Sequence, residues 1–414
     1  MDYLFHAVIS RYVNDVFVNN DNIMITIKDT LTDAGAMASK APKWPSSSAV
    51  LADVLRWSRE KHVPMSQIIG SGLGMSIPIA VGVASGHLEI GLMASLGGLA
   101  LSSAAGNGKL RQQSVLLCYA LITGIAAILI GSTVSGHGWL TGAVIIIMAF
   151  MAAMIGGMCR AVARSSSMFM VFIIIGSGLG STHNVDSVGV TLVFTVGALW
   201  TIMVALGLSI LFRSIGVESI SPSGPSGSIA GGGKRTPTLR QQTHHWVRLL
   251  RTKTGWLFAL RLSLCVAAAE MVAALWSQPT SYWIPLVVIL IVQRNHEIMI
   301  SRAAKRAIGT LAGVVIGSVL LLLYHPEWFL VLAIGVLAAL RPFLRERNYA
   351  LYSMVMTPLI VIVLEFGNDV SSMIMVYRFI DTMIGVSIAI FLGYAIWPSC
   401  HLKPGMSPIR TENS

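Results

Sequence analysis

The sequence predicts an all-α, polytopic membrane protein, with about twelve transmembrane helices in two parallel six-helix halves. Three observations carry that prediction. The 414 residues are 54% hydrophobic and only 11% charged, too few charges to cover the apolar surface of a water-soluble fold of this size. The apolar residues fall in runs of spanning length. Of the 29 lysines and arginines, all but two fall on one side, in alternate loops, the linker and the terminal segments. The same numbers exclude an ordinary soluble enzyme and a disordered chain, which needs low hydrophobicity. A net charge of +11 would point to nucleic acid in a soluble domain. Here its distribution reads as topology, with no nucleic-acid partner.

Taken in order, residues 1–65 are polar, carry balanced acids and bases, and lack the basic start and apolar run of a cleavable leader. They read as a cytoplasmic segment with one short helix around 50–62, and translation starts at Met1 or Met37. The first membrane half, 66–212, holds spans at 66–84, 90–105, 114–132, 139–158, 168–180 and 190–212. Residues 213–255 form a Gly/Ser/Pro-rich and basic cytoplasmic linker. The second half, 256–398, holds spans at 256–276, 282–293, 308–324, 328–340, 351–365 and 378–397. Residues 399–414 are a cytoplasmic tail. With the N-terminus inside, all basic residues except Arg261 and Arg378 fall on the cytoplasmic side, and the opposite loops carry Glu89, Asp186, Glu327 and Asp369. This predicts a multi-pass membrane protein with both termini cytoplasmic. Six spans per half is even, so the halves enter from the same side and any repeat is parallel.

The four cysteines form no CxxC pair, so no zinc or redox site is expected. No GxxxxGK[ST], HExxH or nucleophile elbow is present, so neither a cofactor nor an enzyme is indicated. The stretch IIGSGLG occurs at 68–74 and again at 174–180. Both copies lie in apolar spans, which favours close helix packing or a broken helix over phosphate binding. The basic run at 302–309 and the linker bases suit a cytoplasmic helix start and contact with anionic lipid.

Charged groups inside the bilayer cost several kcal/mol unless paired or wetted. Arg261 and Glu270 lie in the seventh span, Arg378 and Asp381 in the twelfth. Glu270, Arg378 and Asp381 fall toward the outer half and Arg261 toward the inner end. Arg378 and Asp381, three apart, share a helix face. They read either as a self-neutralising pair or as a site in which Arg378 holds a substrate carboxylate while Asp381 or Glu270 cycles a proton. Glu270 has no opposite charge within one turn. Arg261 either assists Arg378 or snorkels to the inner surface. Tyr282 and Trp283 open the eighth span, as interfacial anchors or as a stacking surface for an aromatic solute. His183 and Asp186 show no metal-ligand spacing.

Three stretches of the second half are similar to the fusaric acid resistance / aromatic acid exporter family. They are Tyr282, Trp283 and Pro285; Arg302 or Lys305 with Arg306, Gly309, Thr310 and Gly313; and Arg378, Asp381, Thr382 and Gly385 ending in Trp397 and Pro398. Residues 86–103 resemble it more loosely. The resemblance implies a bacterial inner-membrane protein and proton-driven export of small, often aromatic, carboxylic acids or related toxic compounds, and for some Gram-negative members a periplasmic adaptor protein. The longer members carry a sizeable cytoplasmic region where this chain has its short linker. A homo-oligomer is compatible with this reading. The alternative is an anion channel or passive anion pathway of the same fold. A major facilitator arrangement would place an Asp-Arg pair after the second span, where this chain reads GNGKLRQQ.

Overall fold

The computed structural model describes residues 54, 57, 63–102, 110–158, 160–183, 186–216, 246, 253–276, 278, 280–294, 296–322, 327–365 and 372–395. Most of the expected helix around 50–62, most of the linker, the tail, Met37, Trp397 and Pro398 lie outside them. All regular structure among these residues is helical: α1 (Met65–Ala84), α2 (Leu88–Ser102), α3 (Leu110–Val134), α4 (Trp139–Ile155), α5 (Arg160–His183), α6 (Ser187–Ser214), α7 (Lys253–Trp276), α8 (Trp283–Ile291), α9 (His296–Leu322), α10 (Glu327–Arg347), α11 (Tyr349–Glu365) and α12 (Ser372–Ile390), which continues into a π-helical turn, Phe391–Ala395.

One helix stands in each expected span, but the lengths differ. Among the described residues, eight helices are long and apolar enough to cross a membrane. Helices α2, α4 and α11 are shorter, and α8 has nine residues, a rise of about 14 Å against a hydrocarbon core of about 30 Å. Arg160 and Arg164 lie within α5, Arg302, Lys305 and Arg306 within α9, and Arg341, Arg345 and Arg347 within α10, where the sequence reading had put loops. The reason is that charge ends a hydrophobic span without ending a helix: arginine and lysine are good helix formers.

The helices are apolar on the outside as well as inside. On α6, Leu192, Val196, Leu199, Met203 and Ile210 are exposed at helical spacing, Val196 and Met203 at 66% each. On α10, Trp328, Leu332, Val336 and Leu340 form a similar stripe. A helix hydrophobic all round belongs in lipid.

Glycine sets the closest approaches. A Cβ at Gly98 would lie 2.7 Å from the Gly74 carbonyl oxygen of α1, and one at Gly197 would overlap the Ala94 carbonyl of α2. Gly309 and Gly313 of α9 face the Ala350 and Met354 carbonyls of α11 in the same way. Within α1–α6, the principal packing pairs are α1 with α2 and α6, α2 with α6, α3 with α5 and α6, and α4 with α5. Within α7–α12 they are α7 with α8, α8 with α12, α9 with α11 and α12, and α10 with α11. Between the groups, α1 packs on α10 and α4 on α7, with lesser contacts of α5 with α8 and α2 with α11.

Contacts define two ends of the bundle. At one, Gln113 at the start of α3 donates to Ser209 Oγ late in α6 (3.1 Å), and Ser71 of α1 donates to Ala338 O midway along α10 (2.7 Å). At the other, Ser135 after α3 donates to Ser177 O late in α5 (2.6 Å). The candidate site lies at this second end.

Candidate functional site

Arg378, Asp381, Thr382 and Gly385 occupy positions i, i+3, i+4 and i+7 of α12, so one face of the helix carries all four. That face lies on α8 because Gly385 permits it: a Cβ there would sit 2.8 Å from Val287 Cβ and 3.0 Å from Ile284 O. The α7–α8 turn supplies the opposite wall. Trp283 N–H bonds to Thr280 O (2.9 Å) and Ile284 N–H to Ser281 O (3.0 Å), which closes a tight turn and projects Thr280, Tyr282 and Trp283 at the start of α8.

The cluster is dry. Arg378 is 2% exposed and Asp381 fully buried, with Thr280, Thr382 and Trp283 also buried. The Arg378 guanidinium carbon sits 3.8 Å from the Trp283 ring centroid and 5.6 Å from that of Tyr282. Arg378 Nη2 donates to the Tyr282 hydroxyl oxygen at 3.2 Å. The two rings stack, 6.0 Å apart and 20° from parallel. Thr280 Oγ1 donates to Asp381 Oδ2 at 2.7 Å, a hydrogen bond to a carboxylate, and Thr382 Oγ1 donates to Arg378 O at 2.8 Å. An arginine held against two aromatic faces, with a carboxylate one turn away on the same helix, presents a desolvated cation whose charge is spread over ring quadrupoles and one acid. Such a centre suits an anionic group carried on a flat apolar body.

Gly178, in the second GSGLG run, seats the Tyr282 ring: a Cβ there would lie 3.0 Å from Tyr282 Cγ. Both glycine runs lie within unbroken helices. Gly72 meets Gly335 O, and Gly176 meets Ile128 O, each 3.0 Å from a Cβ position. Of the two sequence expectations for these runs, close packing describes them.

The other charged residues lie elsewhere. Glu270 faces α4, its Oε2 3.8 Å from a Cβ placed on Gly142. Its Oε1 is buried with no hydrogen-bond partner among the described residues. Nine residues separate Glu270 from Arg261, so it sits nearer the Trp283 end of α8. Arg261 is at the opposite end of α8, where Nη2 donates to Gln293 O and the guanidinium lies 5.4 Å from the Phe258 ring. Arg261 and Arg378 are thus about one α8 length apart, and the structure does not join them in one site. Arg306, Gly309, Thr310 and Gly313 lie along the α9–α11 contact, where Thr310 Oγ1 is 3.4 Å from Ser353 Oγ. Pro285 is buried in the first turn of α8, where its missing N–H costs nothing. Asp186 precedes α6 without a side-chain cap bond. No metal-binding group of His, Cys, Asp or Glu occurs among the described residues.

Sequence reasoning passed over Thr280, and it took Gly178 only as part of a packing run. Thr280 precedes the Tyr-Trp pair by two residues, and a hydroxyl there was the available signal. Arg341 had been read as a loop residue.

Residues 265–392, within the second half, match the family described as fusaric acid resistance protein-like. The chain is also similar to an uncharacterized protein of Haemophilus influenzae (32% identical, over 34% of this chain and 20% of that one). It resembles inner membrane protein YccS of Escherichia coli (34%, over 40% and 24%). A third relative is the uncharacterized membrane protein YvaC of Bacillus subtilis (27%, over 34% and 22%). The matches span about a fifth to a quarter of the length of these relatives. No solved structure matches.

Proposed function

We propose, from a second half of fusaric acid resistance protein-like type, that this membrane protein is a secondary exporter of small, aromatic carboxylic acids or related toxic compounds. The observation that carries the reading is the Arg378 cluster. Arg378 offers a buried cation to a carboxylate, while the stacked Tyr282 and Trp283 rings offer a flat surface to the rest of the solute. Asp381 and Glu270 are the proton-coupling groups. Asp381 is one turn from the substrate charge, and Glu270 carries a sequestered oxygen between α4 and α7. Arg261 acts at the other end of the path, where the solute enters.

Two six-helix halves related by an axis along the membrane normal suit this function. Support comes from the packing pairs, which repeat when each of α1–α6 is matched in order with α7–α12. The contacts between the groups also exchange under that match: α4 on α7 with α10 on α1, and α5 on α8 with α11 on α2. Both termini face the cytoplasm in this arrangement, and rocking of the halves exposes the cluster to each side in turn. The partners are lipid and the solute, with a periplasmic adaptor or a second copy as further candidates.

The test is a deletion strain challenged with a panel of aromatic acids, biocides and dyes, complemented by wild type, Arg378→Ala, Glu270→Gln and Asp381→Asn at equal membrane abundance. Wild type restores resistance to one acid class and the variants do not. Full resistance in all three variants removes the proposed site, and no class-specific shift in the deletion strain removes the export reading.

A further inference from the structure

The end of the bundle opposite the Arg378 cluster carries two contacts built on the same plan. At each, a tryptophan that precedes the first helix of one six-helix group seats on the last turn of the fourth helix of the other group. Trp57, ahead of α1, packs edge-on against Phe343 of α10, with ring centroids 6.1 Å apart. The Arg347 guanidinium carbon lies 4.4 Å from the Phe343 ring centroid and 5.5 Å from that of Trp57. Asn348, buried between α10 and α11, ties down the same segment: Nδ2 donates to Val54 O at 2.9 Å, while Oδ1 accepts from the Ala350 N–H at 2.8 Å. One side chain thus caps α11 and holds the chain ahead of α1.

Trp246, ahead of α7, donates from Nε1 to Met154 O of α4 at 3.0 Å. Arg294, between α8 and α9, donates from Nη2 to the adjacent Ala153 O at 2.9 Å, and its guanidinium carbon lies 4.6 Å from the Phe258 ring of α7. The last carbonyls of a helix lack intrahelical donors and sit at the negative end of its dipole, so an indole N–H and an arginine suit them. One turn earlier in α4, Phe150 meets Trp256 of α7 at 5.8 Å. The sequence separation of Trp57 from Trp246 equals that of Met154 from Phe343, and nearly the same shift carries the start of α1 to that of α7 and the start of α4 to that of α10. Each contact crosses between α1–α6 and α7–α12, and the two cross in opposite senses.

We propose that the Trp57 and Trp246 contacts are matched latches that close this end of the bundle, and that it opens only when both release. Two contacts between the same two bodies share one opening equilibrium, so weakening either raises the open population at both. The Trp246 latch also covers Arg261, whose guanidinium lies 5.4 Å from the same Phe258 ring, so it closes over the residue assigned above to solute entry. The proposal rests on the reading of two halves that rock.

The test reads amide hydrogen exchange by mass spectrometry on the full chain in lipid nanodiscs, at residues 152–158 beside one latch and 348–352 beside the other. No transport is measured, so coupled latches without export sink only the exporter assignment, and export with uncoupled contacts sinks only the latches. Trp246→Ala raises exchange at 348–352, the far latch, about fivefold, and Trp57→Ala does the same at 152–158, the factor for one lost hydrogen bond or aromatic contact. The double variant gives roughly the product of the two at both places. Trp139→Ala, at an exposed tryptophan at the opposite end of α4, changes neither. A rise confined to the altered contact makes each a local packing feature and overturns the proposal, as does no rise at all. Where an alanine variant fails to fold, Trp246→Phe decides, since it keeps a ring and removes only the N–H: no rise at 348–352 overturns the proposal.

Discussion

Thr280→Val is the most discriminating single change in the Arg378 cluster. It keeps the shape of the side chain and removes one donor. Thr280 is 1% exposed and Asp381 0%, so neither oxygen is compensated by water after the change. The lost bond is 2.7 Å long and ends on a carboxylate. Ordinary interhelical hydrogen bonds in membrane proteins are worth about 0.6 kcal/mol, with a ceiling near 1.7. A short bond to a buried charge belongs at the upper end, so about 1.5 kcal/mol is expected, roughly a tenfold shift in the unfolding equilibrium. The assay is denaturant unfolding in mixed micelles, run as a double-mutant cycle with Asp381→Asn. In the Asp381→Asn background the bond is between neutral groups, and the cost of Thr280→Val falls to about half. A cost below about 0.5 kcal/mol, or one equal in both backgrounds, would refute the assignment of Asp381 as a charged acceptor held by Thr280.

Two further outcomes follow from the glycines. Gly178→Val pushes against the Tyr282 ring, already 3.0 Å from the Cβ position, and displaces the hydroxyl that bonds Arg378; resistance falls severalfold at normal membrane abundance, and Gly178→Ala is milder. Gly197→Leu drives a side chain into the Ala94 carbonyl, which is backbone and cannot yield. The α2–α6 contact separates at a cost of about 3 kcal/mol or more, read as loss of folded protein in membranes.

Much of the fold was legible because the bilayer makes sequence speak plainly. An apolar run long enough to span must be a helix, since no other single segment satisfies its own backbone in lipid. Each expected span therefore contains a helix. The ends were less legible. The runs around 160, 302 and 341 ended at arginine, yet α5, α9 and α10 include those arginines. Helix ends follow backbone hydrogen bonding and packing, whereas span ends follow hydropathy. The short α8 was partly legible: the sequence bounds the eighth span at 282–293, already too short to cross, and the structure trims it to the nine residues WIPLVVILI.

The site shows the same division. Arg378 and Asp381 were conspicuous as charges in an apolar run, and their spacing placed them on one face. Their neighbours across space were not legible. Thr280 is 101 residues from Asp381 and Ser102 is 239 from Arg341, and no local pattern links them. Arg261, which the sequence put toward the inner end, binds the backbone at the far end of α8 from Arg378.

By itself the sequence determined the helical class, the number of apolar segments and the asymmetry of its basic residues, since each follows from the transfer of side chains between water and lipid, residue by residue. Only the tertiary structure decided which charges meet. The closeness of α12 to α8 depends on Gly385, and the seat of Tyr282 depends on Gly178 in another part of the chain. Burial, too, was decided there: Arg341 passed from a loop charge to a cation enclosed by α2 and α10. Contact and dielectric belong to pairs of residues brought together by packing, and a linear pattern of hydropathy does not contain them.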